Sequence, residues 1–212
     1  MTTPSFSLGR HIGFSDGVFA IAITLLVLDI RIPLPDPTHT ATESQVLDLL
    51  RTHAVGPLVA YLLSFYVIGT QWLIHHQTFA GIRCADRRLS AMNLQYLALI
   101  AVMPFPSYLL ANYGGAPISV AIYAAAIGIG SLLRTRMHAY AQKAGLLNPQ
   151  VDAEQWRADT YSGAGFGSLF VASAAVAFWH PVATFVMWGL VLGGWAALRR
   201  YHLVDLLRRR LG

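Results

Sequence analysis

Six long apolar stretches dominate the pattern, at 14–32, 55–77, 90–111, 116–134, 162–179 and 182–199, and the charged residues gather between and beyond them. Each is long enough, at 1.5 Å per helical residue, to approach or span about 30 Å of hydrocarbon. The pattern predicts an all-α integral membrane protein with six transmembrane helices in one domain, 1–212. The last three stretches are short and rich in small residues, which lets helix backbones approach closely. Gly163 and Gly167 mark one small face and Gly189 and Gly193 another, both read as packing devices.

The first stretch holds most of the chemistry. Asp16 sits at its mouth and Thr24 is a lone hydroxyl in its middle. An ionisable group in a membrane helix costs about 2.5–3.5 kcal/mol on insertion scales and is kept for a partner or a function. At 100° per residue, Gly17, Ile21, Thr24 and Leu28 fall on one stripe with Leu25 at its edge. Asp16 lies about 140° from Ile21 by the same arithmetic. It therefore points into the subunit, where Trp72, His75 and His76 on the second stretch and Asn93 on the third offer polar partners. His75 and His76 diverge by about 100°, which disfavours a shared metal; the expected role of His75 is in a structural network.

Composition supports the membrane reading. The chain is 55% hydrophobic and 12% charged, with a mean hydropathy of +0.51, whereas a soluble domain is nearer a quarter charged. The single cysteine, Cys84, excludes an internal disulfide. Thirteen of the 15 lysines and arginines fall on one side of the expected topology. They are Arg10, then Arg83, Arg87 and Arg88 after the second stretch, then Arg134, Arg136, Lys143 and Arg157 after the fourth, then the tail from Arg199 to Arg210. The positive-inside rule places both termini in the cytoplasm of a multi-pass protein of the cell membrane.

Pro33, Pro35 and Pro37 stop the first stretch, and Thr42 with Gln45 reads as a capping box opening a short interfacial or subunit-packing helix. The polar loop 144–160 has room for one short cytoplasmic helix. The basic tail is expected to anchor the topology and attract anionic lipid rather than nucleic acid. No phosphate loop, nucleophile order or HExxH motif is present, so an enzyme is not expected.

Arg10-x-x-x-Phe14-Ser15-Asp16, running into Ala20 through Leu28, resembles the signature of the transmembrane protein 175 family of potassium channels. Trp72-x-x-His75-His76-x-x-Phe79 and Asn93 with Pro104-Phe105-Pro106 extend the resemblance. The resemblance implies a homotetramer of six-helix subunits, a pore lined by the first helix and no carbonyl-loop filter. It implies no cofactor and no metal beyond permeating potassium. Carried over position by position, Ile21 is the constriction, Thr24 with Leu25 the next layer and Leu28 the outer layer. Arg10, Phe14, Ser15, Asp16, Trp72, His75 and Asn93 form a network tying the inner end of the pore helix to its neighbours, with Arg10 balancing the carboxylate. Asp29 and Asp36 stand where they could concentrate cations at the outer mouth. The expected function is moderately potassium-selective passive conduction. The alternatives are a membrane solute or ion transporter, against which the lack of a central break in the first helix and of internal repeats speaks, and a non-conducting scaffold.

Overall fold

The computed structural model describes residues 8–31, 41–191 and 193. The proline stop, Asp36 and the basic tail from Arg199 lie outside them. The elements are α1 (Leu8–Leu25), closing in a 3₁₀ turn (Leu26–Asp29), α2 (Glu43–His53), α3 (Val55–Ala80), α4 (Arg87–Val102), α5 (Pro104–Tyr113), α6 (Pro117–Lys143), α7 (Ala153–Val176) and α8 (Pro181–Val191). Among the described residues four helical stretches are long and apolar enough to cross a membrane: Leu8–Asp29, Val55–Ala80, Arg87–Tyr113 and Pro117–Lys143. They contain most of the first four expected spans. The fifth falls largely within α7, and the sixth is described only in its first half, as α8.

Several boundaries differ from expectation for local reasons. The third span is two helices, because Pro104 has no N–H to continue the ladder; Met103 N instead donates to Ile100 O at 3.1 Å, and α5 restarts with Pro104 at its first position. The fourth helix runs on to Lys143, so Arg134 and Arg136 stand on α6 and not in the loop, and Arg134 is buried. The expected short helix within 144–160 is replaced by the start of α7. Gly145, with φ of 66°, supplies the left-handed turn after α6, and the Asp152 carboxylate caps α7 by accepting from Glu154 N and Gln155 N. The capping box is present: Thr42 N donates to Gln45 Oε1 at 2.9 Å and Gln45 N to Thr42 Oγ1 at 3.4 Å. None of the α2 residues is buried.

Glycine sets the closest helix pair. A Cβ on Gly128 of α6 would lie 2.7 Å from Val171 N and 2.8 Å from Gly167 O of α7, and one on Gly163 would lie 2.7 Å from Thr135 Oγ1. The expected Gly163–Gly167 packing face is therefore real, whereas a Cβ on Gly189 or Gly193 meets nothing within 4 Å. The turn between α3 and α4 is fastened to the turn between α6 and α7. Arg83 N donates to Leu146 O at 2.8 Å and Asn148 N to Gly81 O at 2.9 Å. The start of α1 reaches the same end through His11 Nε2, 2.7 Å from Ser90 Oγ near the start of α4. Arg10, Arg83, Arg87, Arg88, Lys143 and Arg157 consequently share one end of the bundle.

Gly128→Ala should destabilise the protein by about 1–3 kcal/mol through overpacking, seen as a lower thermal unfolding midpoint in mild detergent. Gly165→Ala on α7, whose Cβ would meet nothing within 4 Å, should leave the midpoint unchanged or raise it, since alanine is the better helix former.

Candidate functional site

The helical period divides α1 into two faces. Ser15, Phe19, Ala22 and, in the 3₁₀ turn, Leu26 are buried against the rest of the chain. Gly17, Ile21, Thr24, Leu25 and Leu28 look outward. The contrast is steep: Phe19 and Leu26 are 1% exposed, Ile21 and Leu28 61%. The 3₁₀ turn modifies the expected stripe. It advances 120° and about 2.0 Å per residue, so Leu28 stands over Leu25 and about 12 Å beyond Ile21 along the axis. The Thr24 hydroxyl donates back to Ile21 O at 3.0 Å, three positions earlier. Its hydrogen is occupied and its oxygen keeps lone pairs for an incoming group.

Asp16 turns away from that stripe. Its carboxylate accepts from Trp72 Nε1 at 2.8 Å, a hydrogen bond to a charged acceptor and so among the stronger kind. Beside it runs a second chain of bonds whose directions follow from donor accounting. The Ser15 hydroxyl donates to His11 O at 2.7 Å, so its oxygen accepts from Asn93 Nδ2 at 3.1 Å. Asn93 Oδ1 is left to accept from His75 Nε2 at 2.8 Å. Buried His75 stacks on Tyr96, the ring centroids 5.6 Å apart and the planes 6° from parallel, and packs against Phe79 and Phe19. His76, one residue on, is exposed and tilted against Trp72, the divergence expected of neighbours on a helix.

Thus Ser15, Asp16, Trp72, His75 and Asn93 are brought together across α1, α3 and α4. No hydrogen bond joins Asp16 to His75 among the described residues; Trp72 bonds to Asp16, and the Asn93–Ser15 pair bonds to His75. Arg10 and Phe14 stand exposed, and no ion pair between Arg10 and Asp16 forms among the described residues. Asp29, half-buried, closes the 3₁₀ turn.

A second polar cluster was not anticipated. His138 of α6 stacks on Trp156 of α7, with ring centroids 3.6 Å apart. Trp156 Nε1 donates to His138 O at 3.0 Å, and the Thr160 hydroxyl donates to Trp156 O at 2.8 Å while its oxygen lies 2.9 Å from His138 Nδ1. These residues belong to no motif. The signal available in the sequence was histidine and arginine inside an otherwise apolar helix, which the loop assignment of Arg134 and Arg136 hid.

Residues 10–104 match the family model described as endosomal/lysosomal potassium channel TMEM175, a segment that starts at Arg10 and contains every member of the Asp16 and Ser15 bonding chains. A potassium channel of Streptomyces collinus is 36% identical over 159 residues, 71% of this chain and 72% of the relative. A potassium channel of Chamaesiphon minutus is 41% identical over 106 residues, half of each chain. The crystal structure of a lysosomal potassium-selective channel TMEM175 homologue from Chamaesiphon minutus shares the fold with a TM-score of 0.73 at 30% identity, covering 91% of this chain and 97% of that one. Sequence likeness over most of its length, the shared fold and the Ser15–Asp16 motif of α1 held in a bonded network together place this chain in the TMEM175 family of potassium channels, a channel family and not an enzyme family.

Proposed function

We propose that four copies of this chain surround a common axis with the outward face of α1 and form a moderately potassium-selective channel of the cell membrane, six helices to a subunit. The observation that carries this reading is the apolar stripe of Ile21, Leu25 and Leu28, interrupted by the Thr24 hydroxyl, left outward on a helix whose other face is fastened to its own subunit. Both relatives named as potassium channels support it. So does the Chamaesiphon minutus homologue, a potassium-selective channel.

The mechanism follows from ring chemistry. Four Ile21 side chains about an axis make an apolar constriction that passes ions only when wetted. One layer outward, Thr24 oxygens replace part of the water that a cation sheds. One hydroxyl per subunit replaces only part of a hydration shell, so the preference for potassium over the more tightly hydrated sodium is modest. Leu25 and Leu28 extend the apolar path outward, and Asp29 with Asp36 raises cation concentration at the mouth. No cofactor is required; the permeant ion is potassium. The basic end of the bundle and the tail from Arg199 face the cytoplasm by the positive-inside rule, where they meet anionic lipid.

Assembly is the first test. Native mass measurement in mild detergent should give a homotetramer; a monomer that conducts would overturn the pore along α1. The constriction is the second. In proteoliposomes, Ile21→Asn should increase cation current and reduce potassium preference, and Thr24→Ala should reduce preference without opening the path. Unchanged current and reversal potential in Ile21→Asn would remove α1 from the conduction path. Saturable flux coupled to a second solute would indicate a transporter, and no flux at all a scaffold.

The network supplies a third test. Asp16→Ala leaves the Trp72 N–H without its acceptor, costing about 1–3 kcal/mol, and should lower the yield of assembled protein, whereas Asp16→Asn, which retains an acceptor oxygen, should recover part of it. A variant that assembles normally and changes only ion preference would show that Asp16 faces the axis.

A further inference from the structure

Helix α4 packs against both α1 and α6 and holds both at once. Ser90 and Asn93 of α4 face α1, through His11 and Ser15. Gln95, about 200° round the helix from Asn93, accepts from the Arg136 guanidinium of α6. At the start of α4 the Asp86 carboxylate is divided between two tasks. One oxygen caps the helix by accepting from Leu89 N at 2.7 Å, and the other accepts from the Tyr140 hydroxyl of α6. The Arg88 guanidinium lies over the Tyr140 ring, 5.0 Å from its centroid. The preceding turn is gripped as well: Trp156 covers Gly81 so closely that a Cβ there would come within 2.6 Å of the indole.

We infer that Tyr140 and Trp156 are positioning residues for conduction, acting through α4 and the turn before it on the rotation of α1 about its own axis. The grip passes from Tyr140 to Asp86 at the start of α4, then within two turns of the helix to Ser90 and Asn93, then to His11 and Ser15. Each step is a hydrogen bond or a rigid helical turn, so α4 cannot roll without turning α1. A turn of α1 moves Thr24 out of line with the path and brings the flanking apolar side chains in. This rests on the reading of α1 as the pore helix.

The experiment measures reversal potentials with potassium on one side of the membrane and sodium on the other, a quantity independent of how many channels are present. Tyr140→Phe keeps the ring beneath Arg88 and removes only the hydroxyl to Asp86. It should lower the potassium-to-sodium permeability ratio about twofold or more, the scale of coupling carried by such networks. Gly81→Ala, which displaces Trp156, should do the same and stands in if Tyr140→Phe fails to assemble. A purely structural role would reduce total flux and leave the ratio as in wild type, and that result in both variants, alongside an altered ratio in Ile21→Asn, overturns the inference. An inert Ile21→Asn would instead remove the pore reading beneath it.

Discussion

A carboxylate in the third turn of a membrane helix must be met by donors from another helix, and meeting it constrains everything that touches α1. In a medium without water an unsatisfied polar group costs several kcal/mol, so the Trp72 indole N–H held 2.8 Å from Asp16 ties α3 to α1 at a defined azimuth. The Ser15–Asn93–His75 chain does the same for α4. With two helices fastened to one side of α1, its opposite side is left for whatever lies outside the subunit. The packed face is small and aromatic in turn: Ala22 lies between Phe19 and Leu26, and Phe19 packs against His75 and Tyr96. The polar contacts fix the angle, and the apolar contacts supply the bulk of the burial.

The same economy governs the second half of the chain with different residues. There the backbones approach through glycine, and Gly128, Gly163 and Gly167 leave room for main-chain and side-chain atoms that any Cβ would strike. The tight α6–α7 hairpin then offers Ser131 Oγ to Gly163 O at 3.0 Å and encloses the His138–Trp156 stack. This rigid pair reaches the α3–α4 turn through paired backbone bonds and through Tyr140, so the motif-bearing helices rest on a scaffold built by residues that carry no motif.

Helix breaks fall where backbone donors run out. Pro104 separates α4 from α5 without ending the span, because Met103 N and Ser107 N still find carbonyls at Ile100 and Met103. The change from α to 3₁₀ after Leu25 keeps α1 apolar to its outer end while turning Leu28 into line with Leu25. Both features reposition side chains by tens of degrees relative to an ideal helix, enough to decide which residues share a layer.

Much of the site was legible in the sequence because its determinants are local or periodic. The 100° step alone separates Ile21, Thr24 and Leu28 from Ser15, Phe19 and Ala22. The spacing of Thr42 and Gln45 specifies a capping box, and an intramembrane aspartate demands donors that only a few polar residues on α3 and α4 could provide. What the sequence could not determine depends on contacts between segments far apart in the chain. Arg134 reads as a loop cation until α6 is seen to extend past it and bury it. That Asp16 accepts from Trp72 while Arg10 stands exposed is seen only once the helices are packed. Nothing in the order of residues couples Trp156 to Gly81 or Tyr140 to Asp86. Those pairings arise only when two turns meet at one end of the bundle, because hydrogen bonds and close contacts are selected by distance in space, and distance in space is settled by how all the helices pack together.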